Sequence, residues 1–283
     1  MAEIKLEKLS YFHGKDTPYE IKALDSVNLI VPKGMITGLI GHTGSGKSTL
    51  VQMFNGILRP NEGRVLLDGT DIWDKPKQIR QVRFRVGLVM QYPEYQLFEE
   101  TVAKDIAFGP KNMGLSEEEI RVRVEEAAAF VGLDASLLSK SPFDLSGGQK
   151  RRAAIAGIIA MRPDVLVLDE PAAGLDPRGR EEIFSNIVEY HEKSGSTVVI
   201  VSHSMEDMAR YCDNLIVMNE GKIWMQGDRD YIFSRSEKLR EIGLDIPQVT
   251  KLMLLLKAQG VDVDGGIYTV EQALECMLKI YGR

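Results

Sequence analysis

Short apolar runs without polar alternation recur along the chain. MITGLI (35–40), VGLVMQ (86–91), VLVLDE (165–170) and STVVIVSH (196–203) are separated by segments of helical pattern. Runs that are apolar on both faces and spaced by helices predict a mostly parallel sheet in an α/β fold. IKLEKLSYF (4–12) and KALDSVNLIV (22–31) instead alternate, which predicts an antiparallel β subdomain. KSTLVQMFNGIL (47–58) carries Leu50, Met53, Phe54 and Ile57 at helical spacing. LSEEEIRVRVEEAAAFVGL (115–133) opens with Ser116 and Glu119 in a capping box, within a helical insertion from about Pro93 to Asp144. Its acidic run, Glu117 to Glu119, reads as a solvated first turn that suits the helix dipole. After Phe233 the pattern becomes two amphipathic helices, IPQVTKLMLLLKAQG (246–260) and TVEQALECMLKIYG (269–282), joined by a DVDGG turn. Thr269 and Gln272 cap the second, where Val270, Ala273, Leu274, Met277, Leu278 and Tyr281 line one face. Such a stripe must bury against the rest of the chain or against a second subunit.

Composition narrows the setting. With 283 residues, 44% hydrophobic and 27% charged, the chain suits one large domain with an appendage. No apolar run approaches the roughly 18 residues of a membrane span, and Met1 to Phe12 lacks the marks of a signal peptide, so a cytoplasmic chain is expected. The only cysteines, Cys212 and Cys276, lack zinc-site spacing and read as free core thiols. A net charge of −6 gives no electrostatic reason to expect nucleic acid as a partner. The basic clusters Arg80 to Arg85 and Lys150 to Arg152 read as solvated helix faces or contacts to one small anion.

The candidate chemistry begins at GHTGSGKST (41–49), between a predicted strand and a predicted helix. Gly41, Gly44 and Gly46 free the backbone to turn its N–H groups inward around an anion, at a helix N-terminus that favours negative charge. Lys47 then reaches outer phosphates and the Ser48 hydroxyl can ligate magnesium. Three other runs end on polar residues able to act on a phosphate: Gln91, the pair Asp169 and Glu170, and His203. Ligands of parallel sheets sit outside the carboxyl ends of the strands, so these ends are expected to face one nucleotide. LSGGQ (145–149) opens a helix with Ser146 as N-cap and Ile155, Ile158 and Ile159 toward a core, making a second anion site.

In order and spacing these segments resemble the ATP-binding cassette (ABC) ATPases: GHTGSGKST their Walker A motif, Gln91 their Q-loop, LSGGQ their signature, VLVLDE their Walker B, AGLD (173–176) their D-loop and His203 their switch histidine. The resemblance covers residues 1 to about 235. QYPEYQLFEETVAKDIAFGPKNMGL (91–115) resembles more narrowly the ATPases of energy-coupling factor transporters, which import vitamins and transition-metal ions. The resemblance implies a P-loop NTPase fold: a mostly parallel sheet, an antiparallel β subdomain near the adenine and a helical subdomain at about 93–160, together spanning 1–235. A C-terminal helical domain over 236–283 is expected to join the dimer, so that a chain ending near Glu237 binds ATP with little change but falls to monomers.

The resemblance further implies that Gly41, His42, Thr43, Gly44, Ser45, Gly46, Lys47, Ser48 and Thr49 hold the phosphates of ATP, and that Ser48, Gln91 and Asp169 serve Mg2+. Glu170 would act as base and His203 as γ-phosphate sensor, with Gln91 and Lys47 completing the catalytic set. Ser146, Gly147, Gly148 and Gln149 would act on the nucleotide of a second, head-to-tail cassette, a paralogue or a copy of this chain. The adenine position falls on His13, beside Tyr11 and Phe12, where relatives usually carry an aromatic residue. An integral membrane coupling subunit and a substrate-binding membrane subunit are the implied partners, at the cytoplasmic face of the cell membrane, peripherally bound. Soluble cassette ATPases of DNA repair or translation fit less well. Only about a hundred residues separate the phosphate loop from LSGGQ, without heptads, zinc cysteines or a second cassette.

Overall fold

The continuous apolar runs become strands whose alternate residues enter two different cores. The computed structural model describes residues 2–282. Its strands are β1 (Ile4–His13), β2 (Ile21–Val31), β3 (Ile36–Gly41), β4 (Glu62–Leu67), β5 (Thr70–Asp71), β6 (Val86–Val89), β7 (Val165–Asp169), β8 (Thr197–Val201), β9 (Asn214–Asn219) and β10 (Lys222–Asp228). Its helices are α1 (Lys47–Phe54), α2 (Ile79–Arg85), α3 (Val102–Asn112), α4 (Glu117–Phe130), α5 (Gly147–Ile159), α6 (Pro177–Ser194), α7 (Met205–Tyr211), α8 (Arg229–Phe233), α9 (Ser236–Glu241), α10 (Gln248–Ala258) and α11 (Val270–Tyr281).

A six-stranded sheet has the order β10-β9-β3-β8-β7-β6. Its strands pair in parallel from β9 to β6, and only β10 runs antiparallel, against β9. Ile36, Ile40, Leu166, Leu168, Val198 and Ile200 face the core built with α3 to α6. Leu39, Val165, Val167, Val199 and Val201 face the other core, with α1 and the four-stranded antiparallel sheet β2-β1-β4-β5. Two covered faces leave no place for polar alternation. Parallel pairing also brings the carboxyl ends of β3, β6, β7 and β8 to one edge, which the apolar runs predict.

Helix α1 is shorter than its apolar spacing predicts. Gly56 takes a left-handed φ of +68°, the helix stops at Phe54, and Ile57 is 44% exposed rather than on the buried face with Leu50, Met53 and Phe54. Both expected capping boxes of the later helices form, Ser116 with Glu119 on α4 and Thr269 with Gln272 on α11. Helices α3, α4 and α5 pack together beside the sheet.

The segment after residue 235 is less detached than its sequence suggests. The short α9 precedes the two amphipathic helices, and Leu239, Leu244, Ile246 and Tyr268 lie in the main core. Burying each of the three aliphatic side chains among them contributes about 2 kcal/mol, so a cut near Glu237 would remove part of the core and not only a tail. Met253, Val263, Ile267 and Ala273 form a small separate cluster. On α11, Ala273 is buried and Met277 is packed against that cluster, while Val270, Leu274 and Leu278 of the expected stripe stay exposed. The side chain of Tyr281 lies outside the described residues. Cys212 is fully buried, and burial raises its thiol pKa well above the usual range, as expected of a core thiol.

Candidate functional site

At the end of β3 the chain turns sharply into α1. A side-chain carbon on Gly41 would lie 2.5 Å from the carbonyl oxygen of Met218, and one on Gly46, at φ +99°, would lie 2.6 Å from that of Ala23. Only glycine fits these two places without displacing backbone. Gly46 also gives α1 no side-chain cap, and the first turn holds no acidic residue. By contrast, Thr101, Ser116, Ser146, Asp176 and Ser204 cap their helices through side-chain oxygens. The N–H groups opening α1 are therefore left for an anion. The Ser45 hydroxyl is buried in this turn without a partner.

Lys47 lies inside the loop, where its ammonium donates to the carbonyls of Gly41 at 2.6 Å and His42 at 2.8 Å. Burial lowers its pKa, opposed by the charges of Glu170 and Asp169. Burial in turn pushes the Asp169 carboxyl up, against the adjacent Ser48 hydroxyl and the charge of Lys47, while Glu170 adds to the rise. Glu170 follows with a left-handed φ of +52°, and its N–H donates to the Val201 carbonyl at 3.0 Å. That bond ties the end of β7 to the end of β8. Across it, His203 Nδ1 donates to Glu170 Oε1 at 2.8 Å. His203 is otherwise open to solvent, with its side chain 81% exposed.

The structure thus gathers residues 41–49, Asp169, Glu170 and His203 at one edge. His13 joins them from the end of β1, where its Nε2 lies 3.3 Å from Thr49 Oγ1 and its ring meets Tyr11 edge-on at 5.0 Å. Gln91 is exposed just beyond β6. Ser146 to Gln149 are placed differently. Ser146 accepts from the Gln149 N–H at 3.4 Å and Gln149 Oε1 accepts from the Ser146 N–H at 3.0 Å, which completes the expected cap of α5. Side-chain carbons added at Gly147 and Gly148 would meet nothing within 4 Å, so the backbone there is open. Among the described residues, no hydrogen bond joins 146–149 to the phosphate loop.

Arg151 corrects the reading of Lys150 to Arg152 as a solvated face. It is 3% exposed, and its guanidinium reaches Glu94 at 3.3 Å and donates to the carbonyls of Pro171 and Ala173. One side chain thereby joins α5, the segment after Gln91 and the turn after Glu170. Arg151, Ile155 and Ile159 fall on one helical face, a signal of burial that the arginine's charge masks. Arg152 donates to the carbonyls of Val131 and Gly132 and pairs with Glu182. The Arg80 to Arg85 cluster is similarly engaged: Arg83 donates to the Gly56 carbonyl, and Arg85 pairs with Asp68 and Asp164. Arg151→Met is expected to destabilise the fold by about 3 kcal/mol, because Glu94 and two carbonyls lose a partner away from water. Chemical denaturation of the two proteins measures the difference, and equal midpoints would refute it.

A lysine-bearing phosphate loop, a buried aspartate with a following glutamate, and a histidine just beyond the neighbouring strand define a P-loop nucleotide hydrolase of the ATP-binding cassette class. Residues 24–173 match the family described as ABC transporter. The chain is 52% identical over 276 residues to the energy-coupling factor transporter ATP-binding protein EcfA2 of Caldanaerobacter subterraneus subsp. tengcongensis, covering 98% of this chain and 96% of that protein. The protein of the same description from Clostridium tetani is also 52% identical, with 98% and 97% covered. Among solved structures, cbiO1 from Clostridium perfringens, described as part of the ABC transporter complex cbiONQ, is similar at a TM-score of 0.74 and 42% identity, covering 89% of this chain and 98% of that one. A dimeric ATP-binding cassette in a post-hydrolysis state with ADP and Pi superimposes at a TM-score of 0.72 and 28% identity, covering 80% and 98%. The chain belongs to the ABC transporter family, among the energy-coupling factor ATP-binding proteins, whose cassettes are ATPases coupled to transport.

Proposed function

We propose that this chain binds ATP with Mg2+ at the edge where β3, β7 and β8 end, hydrolyses it against a second cassette, and so powers uptake of a vitamin or transition-metal ion. The convergence of Lys47, Asp169, Glu170 and His203 on one uncapped helix start carries this reading. The residues fit the ligands. A phosphate chain would satisfy the Ser45 hydroxyl and the free N–H groups of α1. Ser48 and Asp169 would hold the ion through their oxygens, and Gln91, exposed just beyond β6, would add a further oxygen to it. Magnesium characteristically takes one or two carboxylates together with substrate phosphates, and no cluster of three or more acidic, histidine or cysteine side chains occurs among the described residues. Bound there, the ion supplies charge neutralisation for the phosphate oxygens.

The chain's own groups do the positioning. Lys47 exchanges the carbonyls of Gly41 and His42 for the β- and γ-phosphates. Glu170 orients the attacking water and accepts its proton, while His203 holds that carboxylate and reaches the γ-phosphate. His13, held by Thr49, lies against the adenine. Ser146, Gly147, Gly148 and Gln149 complete the pocket of the opposing subunit, so that ATP closes the pair and hydrolysis reopens it.

The membrane partners are a coupling subunit and a substrate-binding subunit, docked from the cytoplasmic face. A groove of about 400 Å³ lies between α2, α3 and α5, lined by Phe98, Phe108, Arg80, Arg83 and Met161. Phe98 and Phe108 are 59% and 45% exposed and meet edge-on at 5.0 Å. This paired apolar surface follows Gln91 along the chain, so a helix seated there would feel the nucleotide state. Pull-down of the full chain from native membranes, with identification of the co-purifying chains, tests the reading, and recovery without any integral membrane protein would count against transport. Phe98→Asp combined with Phe108→Asp is expected to abolish that co-purification while leaving nucleotide affinity unchanged. Retention of the membrane chains by the double variant would remove the groove from this role.

A further inference from the structure

The turn after α9 reaches back into the phosphate loop. His42 Nε2 donates to the backbone carbonyl of Ile242, 200 residues further along the chain. Gly243, at φ +72°, lies beneath the imidazole, where an added side-chain carbon would sit 3.4 Å from His42 Cε1. Leu244 and Ile246 are then buried in the main core. The N–H of Gln248, the first residue of α10, donates to Glu206 Oε1 at 3.1 Å. Glu206 lies on the first turn of α7, three residues past His203. Residues 242–248 therefore grip the site at two points, the phosphate loop and the segment behind His203.

We infer that residues 242–248 form a coupling strap through which nucleotide in the phosphate loop sets the position of the C-terminal helices α10 and α11, with His42 as its positioning residue; this rests on the reading of the loop as an ATP site. The carbonyl of His42 accepts from Lys47 while its ring is tied to Ile242. When Lys47 turns to a phosphate, the backbone of His42 loses that bond but its ring stays fastened to the strap. A shift at His42 then passes directly to the Ile242–Gly243 turn. Leu244 and Ile246 are close-packed, so the strap moves as a body and does not absorb the shift locally. Linkage is reciprocal: disturbing the strap must change nucleotide affinity, although the strap touches no nucleotide.

Hydrogen exchange of the full chain, with and without a non-hydrolysable ATP analogue and Mg2+, tests this. In the unaltered protein the analogue is expected to change exchange of the 243–248 amides by about fivefold or more. At equal site occupancy His42→Ala is expected to lose that response, and His42→Gln, whose amide can donate to the same carbonyl, to regain it. Gly243→Val, strained at its positive φ, is expected to weaken analogue binding by about fivefold from outside the pocket. An undiminished response in His42→Ala, or unchanged affinity in Gly243→Val, would overturn the strap. Analogue binding with no change at 243–248 in the unaltered protein would overturn the strap alone, whereas failure of that protein to bind the analogue would overturn the ATP reading with it.

Discussion

Glu170→Gln is expected to lower ATP hydrolysis by about 10²–10⁴-fold, the range typical of a lost general base, while leaving ATP binding intact. The backbone explains why the loss should be confined to chemistry. Glu170 is held at φ +52° by the bond from its N–H to Val201, so the side chain is aimed by two paired strands and not by its charge. A non-glycine residue in that region costs about 1–3 kcal/mol and persists because the surrounding structure enforces it. Glutamine keeps the shape, and its carbonyl oxygen can still accept from His203 Nδ1, which donates to Glu170 at 2.8 Å. What it cannot do is take a proton from water. Lys47, Ser48 and Asp169 are unaltered, so closed dimers should accumulate with ATP. Phosphate release and binding of a fluorescent ATP analogue, measured side by side, separate the two effects. Turnover near that of the unaltered protein would remove Glu170 from its role.

The fold was legible where one physical constraint acts locally. β7 and β8 are fully buried, and burial on both faces favours unbroken apolar runs, so VLVL and VVIV announce themselves, with polar Asp169 and Thr197 only at the strand ends. The turn at 41–46 was legible because backbone close approach admits only glycine at Gly41 and Gly46. Strand order was not legible. That β7 pairs with β8, which sets Glu170 beside His203, is fixed by packing across the whole sheet and leaves no local mark. Arg151 was hidden by its charge: it lies on the same helical face as Ile155 and Ile159, but an arginine in a basic run reads as solvated until its buried acceptors are seen. The bond from His42 to Ile242 spans too much chain for any periodic signal. The C-terminal boundary was misleading for a related reason. The helical pattern changes after Phe233, yet Leu239, Leu244, Ile246 and Tyr268 return to the main core, so a change of pattern there does not mark an end of packing. Truncation near Glu237 should therefore weaken the cassette itself as well as any dimer.

The second large effect concerns the open start of α5. Its capping box satisfies the N-cap and third-position donors from within, while the Gly147 and Gly148 backbone faces open space and no described hydrogen bond ties it to the phosphate loop of the same chain. On the proposed reading this start is a second anion site, and with no described hydrogen bond to its own phosphate loop it would act on a nucleotide held by another cassette. Lys47→Ala removes the phosphate-binding ammonium, and Ser146→Arg places bulk and removes the cap at that open start, so each variant alone is expected to be inactive. In a head-to-tail pair, both pockets of either parent dimer contain one defect. A mixed dimer concentrates the two defects in one pocket and leaves the other intact. Random pairing of equal amounts makes about half the dimers mixed, each with one working pocket, so recovery of up to about a quarter of normal activity is expected. The measurement is ATP hydrolysis across a titration of one variant into the other, with this chain as the only cassette present. With the unaltered chain alone active under the same conditions, recovery should peak near equal amounts and vanish at both ends, whereas mixtures as inactive as their parents throughout would refute the head-to-tail pairing of two copies of this chain.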